Sequence, residues 1–95
     1  MTKADLLKRI REQRLALEGR RRVRIAGIFG SYARSEQRHD SDVDVLVEQR
    51  GATRFDLGGL LTDLEELLGC RVDIVSTRGL RKEIEPSVLN DLISI

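Results

Sequence analysis

The chain has 95 residues, a mass of 10.8 kDa and a net charge of +1, with 40% hydrophobic and 35% charged residues. That suffices for one small core but not for a core plus a separate substrate domain, so a large substrate has to be held partly by another chain. With only Phe29, Tyr32 and Phe55 as aromatics, neither a base-stacking surface nor direct nucleic-acid binding is expected.

Charge is unevenly spread: residues 1–38 hold eleven Lys/Arg against four Asp/Glu, and residues 39–95 hold six against twelve. A basic front half and an acidic back half suit solvated helix faces, and also a basic surface beside a metal-binding acidic site. The single cysteine, Cys70, cannot form an internal disulfide and is expected as a small buried residue, which fits a reducing cytoplasm. No apolar run approaches the ~18 residues of a membrane span, and the N-terminus "MTKADLLKRI" is too polar for a signal peptide. A cytoplasmic protein is expected.

In chain order, Leu6, Leu7, Ile10, Leu15 and Leu17 predict an amphipathic helix capped by Thr2 and ending near Gly19. "VRIAGIF" (23–29) predicts a first strand, and Gly30-Ser31 a break opening a short helix through Gln37. "DVDVLVE" (42–48) alternates with period two, placing Val43, Val45 and Val47 on one face and Asp42, Asp44, Leu46 and Glu48 on the other. Phe55, Leu57, Leu60, Leu61, Leu64, Leu67 and Leu68 recur at helical spacing before a stop at Gly69. "CRVDIVS" (70–76) predicts the third strand, and Pro86 the first position of a last helix. The order describes one α/β domain over residues 1–95, with helices covering a mixed sheet of three or four strands.

The chemistry lies in the aspartates. Asp42 and Asp44 stand two apart, about 6.6 Å along a strand of ~3.3 Å rise, on one face. Like charges so placed repel, and a shared cation explains the pair better than stability does. Oxygen donors with His39 as the only histidine favour Mg²⁺ or Mn²⁺ over zinc. Asp73, between Val72 and Ile74, joins them if its strand neighbours theirs; such a triad can hold two ions, and its third carboxylate can take a proton from an attacking hydroxyl. Alone, Asp73 reads as a surface charge at a strand end. At Gly30-Ser31 the backbone can turn tightly and present helix N–H groups to phosphate, with the Ser31 hydroxyl capping the helix or meeting a phosphate oxygen. A tight turn with an ordinary cap explains that pair by itself equally well. Arg34 can reach a triphosphate or be a solvated arginine. Tyr32 reads as packing, and the run Arg20 to Arg24 as a solvated helix-to-strand connection.

Gly30-Ser31, ten intervening residues, Asp42-x-Asp44 and then Val72-Asp73 after a helix resemble the nucleotidyltransferase superfamily that includes DNA polymerase β, and most of all the minimal nucleotidyltransferase family. The likeness runs through "FGSYAR", "SDVDVLVE", "CRVDIVSTRGL" and "VLNDLISI". It implies that Gly30 and Ser31 hold nucleotide phosphates with help from Arg34, that Asp42 and Asp44 bind Mg²⁺, with Asp73 completing a triad both catalytic and metal-binding, and that AMP is transferred from ATP to a hydroxyl. It further implies an antitoxin, of the type called VII, that modifies a tyrosine of a HEPN-domain ribonuclease toxin in a hetero-oligomer. Alternatives are an antitoxin acting by contact alone and, last, a transferase for an aminoglycoside-like molecule, which needs a helical domain this chain lacks. Ser35 departs from the family, where glycine is common, and puts local geometry in question.

Overall fold

The computed structural model describes all residues, 1–95. Its elements are α1 (Lys3–Arg21), β1 (Val23–Phe29), α2 (Gly30–Ala33), β2 (Val43–Gln49), α3 (Arg54–Leu68), β3 (Val72–Ser76), a 3-10 turn (Thr77–Gly79), α4 (Glu85–Asp91) and β4 (Ile93–Ser94). The strands form one mixed sheet in the order β3-β2-β1-β4: β1 is antiparallel to β2 and β4, and β2 is parallel to β3. A parallel pair needs a crossover, and α3 provides it.

Both long helices open with a capping box. Thr2 accepts from the Asp5 N–H while the Asp5 carboxylate accepts from the Thr2 N–H, and Thr53 and Asp56 repeat the arrangement. Both close on a left-handed residue, Gly69 in α3 as expected, but Arg22 in α1, which runs past Gly19. Glycine inside a helix costs about 1 kcal/mol but does not force an end. Each helix then secures the strand that follows it. Glu18 and Glu65 offer their carbonyls to the cap N–H groups of Arg22 and Gly69, and their carboxylates accept from Ile25 N–H at 2.7 Å and Val72 N–H at 3.2 Å.

Val43, Val45 and Val47 are fully buried and meet Leu6, Ile10 and Leu17 of α1 and Leu60, Leu64 and Leu68 of α3 in one core. Burial of each such side chain contributes about 1.5–3 kcal/mol. Leu46, of opposite parity, is buried outside that cluster, as is Val88 of α4. Two apolar expectations fail: Leu15 is 75% and Phe55 84% exposed. At 100° per residue, Leu15 lies roughly 200° round from Leu17, and Phe55 roughly 140° from Leu60, so each leaves its helix's buried stripe. Cys70 is half-buried against the core, where burial pushes its thiol up.

The unanticipated element is β4. Gly27 and Ile28 pair with Ser94 and Ile93, and the Ile95 N–H donates to the Ala26 carbonyl. A Cβ on Gly27 would lie 2.1 Å from the Ile93 carbonyl oxygen, so glycine is what lets that segment come so close. The register of β1 shifts between Ile25 and Gly27, leaving Ala26 as a bulge. The last helix begins at Glu85, one residue before Pro86.

Candidate active site

The parallel register sets Asp44 opposite Asp73, and the antiparallel register sets Phe29 opposite Asp44. Register partners share a sheet face, so Phe29, Asp44 and Asp73 form a lateral row across three strands spaced ~4.8 Å apart. The face is the one turned away from the valine core. Asp42 lies one residue ahead of β2 rather than inside it and is exposed.

Asp44 is the half-buried member. Its carboxyl is pushed up to about 6 by burial first, then by the negative charges of Asp73 and Asp42, with Arg34 pulling it back. All three aspartates and Arg34 are therefore within electrostatic reach of one another's centre at Asp44. The three carboxylates do not draw together into a closed ligand cluster, and Asp42 accepts an ion pair from Arg71 Nε at 3.3 Å. A hard divalent cation nevertheless suits this donor set: the oxygens are hard, and its charge would relieve the repulsion that raises Asp44.

Immediately after Phe29 the chain turns at Gly30, whose φ is +73°. A Cβ there would sit 2.1 Å from the Asp44 Oδ2. Glycine is thus required twice, by the left-handed backbone and by the approach of a carboxylate. α2 is one turn long and ends at Ala33, short of Gln37, and Phe29 occupies its cap position without a side-chain bond, so Ser31 is inside the turn and does not cap it. Tyr32 is buried, and burial raises its hydroxyl. Ser35 has φ +58°, a conformation that favours glycine, which accounts for the family's usual residue here.

Arg34 is paired with Asp91 of α4 and with Glu36 at 3.1 Å. Asp91 and Arg71 escaped the sequence reading. Arg71 was accessible in principle, because extending the Val43↔Val72 register back by one pairs Asp42 with Arg71; no spacing links Arg34 to Asp91, 57 residues on. Arg21, in the basic run, is not merely solvated: its Nε and Nη2 donate to Asp63 at 2.8 and 3.3 Å. The surface cavities lie away from the aspartates, one of about 290 Å³ between α1 and α3, the other of about 410 Å³ beside Phe55. An open carboxylate-lined face makes no enclosed cavity, so the chemistry of the row outweighs the cavities in locating the site.

The sequence profile of the nucleotidyltransferase domain matches residues 7–94. The chain belongs to that family. It is an enzyme of the nucleotidyltransferase class, of the minimal kind. It is 40% identical over 74 residues to the protein adenylyltransferase MntA of Thermococcus cleftensis, covering 77% of this chain and 75% of the relative. A solved structure described as a candidate minimal nucleotidyltransferase is 44% identical, with a TM-score of 0.85 across 100% of this nucleotidyltransferase and 97% of the other chain. A toxin–antitoxin structure with AMP-PNP shares the fold at 21% identity, with a TM-score of 0.61 over 88% of this chain and 64% of that one. No helix of the nucleotidyltransferase is long and apolar enough to cross a membrane.

Proposed function

We propose that this nucleotidyltransferase is a protein adenylyltransferase antitoxin. It transfers AMP from ATP to a tyrosine hydroxyl of a HEPN-domain ribonuclease toxin, with residues 1–95 acting as one domain in a cytoplasmic hetero-oligomer. The observation that carries the reading is the carboxylate row packed against Gly30 in a chain whose relative bears the name protein adenylyltransferase. The toxin–antitoxin structure with AMP-PNP, a chain of which shares this fold, supports both partner and nucleotide.

In this reading Asp42, Asp44 and Asp73 hold Mg²⁺, two ions in the full site, and Gly30, Ser31 and Arg34 hold the phosphates. The bound metal supplies charge neutralisation to the triphosphate. Arg34 exchanges Asp91 for the triphosphate, an anion whose oxygens a guanidinium can grip with two N–H groups. The acceptor oxygen bonds to the α-phosphorus as the bond from that phosphorus to pyrophosphate breaks, and Asp73 takes the hydroxyl proton. Pyrophosphate leaves with the bonding electrons.

Incubation with labelled ATP, Mg²⁺ and the toxin should label the toxin, and Asp42→Asn or Asp44→Asn should each abolish the label. An unlabelled toxin with Mg²⁺ and with Mn²⁺ would end the reading. The pairing of Asp42 with Arg71 favours a second one, neutralisation by contact alone. Under it the Asp42→Asn protein still silences the toxin, whereas catalysis requires that silencing be lost.

A further inference from the structure

The acceptor has to come to Asp73, and Asp73 lies on an edge strand: β3 pairs with β2 on one side and with nothing on the other. The Val43 N–H donates to the Arg71 carbonyl at 2.9 Å, so by the alternation of a parallel ladder Asp73 and Val75 also turn their backbone groups to β2. Val72, Ile74 and Ser76 face outward. The Val72 N–H is taken by Glu65, but the Val72 carbonyl, both backbone groups of Ile74 and the Ser76 N–H have no partner outside the ladder. Of the usual protections of an edge, "VDIVS" lacks lysine, proline and a bulge, and its one charge is Asp73, the residue of the proposed site.

The charge around this edge runs against its surroundings. Of the six Lys/Arg in residues 39–95, four fall between 71 and 82: Arg71, Arg78, Arg81 and Lys82, all exposed. They bracket the strand from both ends in the acidic half of the chain.

We infer that the free edge of β3 captures an extended, acidic, hydroxyl-bearing segment of the protein substrate as a fifth strand, setting its acceptor residue directly beside Asp73. Main-chain hydrogen bonds to Val72, Ile74 and Ser76 supply register, and the flanking arginines and lysine select negative sequence. A residue opposite Asp73 on the new strand shares its face at ~4.8 Å, which continues the row Phe29, Asp44, Asp73 by one place. The acceptor oxygen thereby reaches the group that takes its proton. The inference rests on the protein adenylyltransferase reading, but the pairing itself needs no catalysis.

The test uses the full chain and a short synthetic peptide alternating glutamate and valine about a central tyrosine, with amide hydrogen exchange followed by NMR in the absence of nucleotide. Binding should slow exchange at Ile74 and Ser76 and leave Asp73 and Val75, already bonded to β2, unchanged. N-methylation of the peptide at amides of one parity should abolish binding, and at the other parity spare it. The double variant R78E/R81E should weaken binding about tenfold. Binding without added protection at Ile74, equal tolerance of both methylation series, or no binding at all overturns the inference. So does concentration-dependent protection of Ile74 without peptide, which would show a second copy of the chain on that edge. Protection at Ile74 without AMP transfer to peptide or toxin would count against the enzymatic reading alone, and AMP transfer without that protection against the fifth strand alone.

Discussion

Gly30 and Ser35 share a backbone conformation and have opposite standing. At Gly30 a side chain would both strain a left-handed residue and displace the Asp44 carboxylate. Gly30→Ala should cost about 1–2 kcal/mol from backbone handedness alone and cut AMP transfer at least a hundredfold; a variant with near-normal turnover, measured with labelled ATP, would separate the turn from the site. Ser35 already carries the strain and is exposed. Ser35→Gly should therefore raise stability by about 1 kcal/mol in urea unfolding and leave transfer unchanged. Individual residues were unevenly legible in the sequence. That Asp44 and Asp73 share a face was legible because alternation fixes which face a strand residue takes, whereas Asp42 falls one residue ahead of its strand. Nothing local disclosed that Arg34 meets Asp91 or that Ser31 leaves the cap position to Phe29, since both depend on where a short turn ends.

Within elements, α3 carries two adjacent glycines that behave differently. A Cβ on Gly58 meets nothing, whereas one on Gly59 would lie 2.2 Å from an Arg21 guanidinium nitrogen. Gly58→Ala should stabilise by about 1 kcal/mol through helix propensity. Gly59→Ala should gain little or lose, because its methyl pushes Arg21 off Asp63. Chemical denaturation of the two variants side by side decides this, and equal gains would show that the Arg21–Asp63 pair contributes nothing. Elements were more legible than their ends. Capping residues and apolar spacing located α1 and α3, but exposed Leu15 and Phe55 show that a run of apolar residues has to be read with its helical phase. β4 was invisible because two residues carry no periodicity, and its cause is remote, the missing side chain of Gly27.

For the whole molecule, acid sensitivity follows from three aspartates held below their ordinary value near 3.8: Asp5 and Asp56 chiefly by the backbone N–H groups of Thr2 and Thr53, and Asp63 chiefly by the Arg21 guanidinium. A carboxylate depressed in the folded state adds stability above its unfolded pKa and loses it as pH falls through the folded one. The melting temperature should therefore fall as pH drops below about 4. Asp63→Asn should lower the melting temperature at pH 7 and differ less from the parent in strong acid, where Asp63 is itself neutral; a difference independent of pH would assign the loss to packing.

The row of Phe29, Asp44 and Asp73 draws its members from three strands, with a helix length of chain between the last two. β1 and β2 are neighbours in sequence, but β3 joins only after α3 has crossed over the sheet, the kind of non-local parallel pairing that forms slowly. Asp73 stands beside Asp44 only after α3 has carried β3 onto β2. On the proposed reading, catalytic competence waits for that non-local pairing, and a partly folded chain that already shows its helices would not yet act on a substrate.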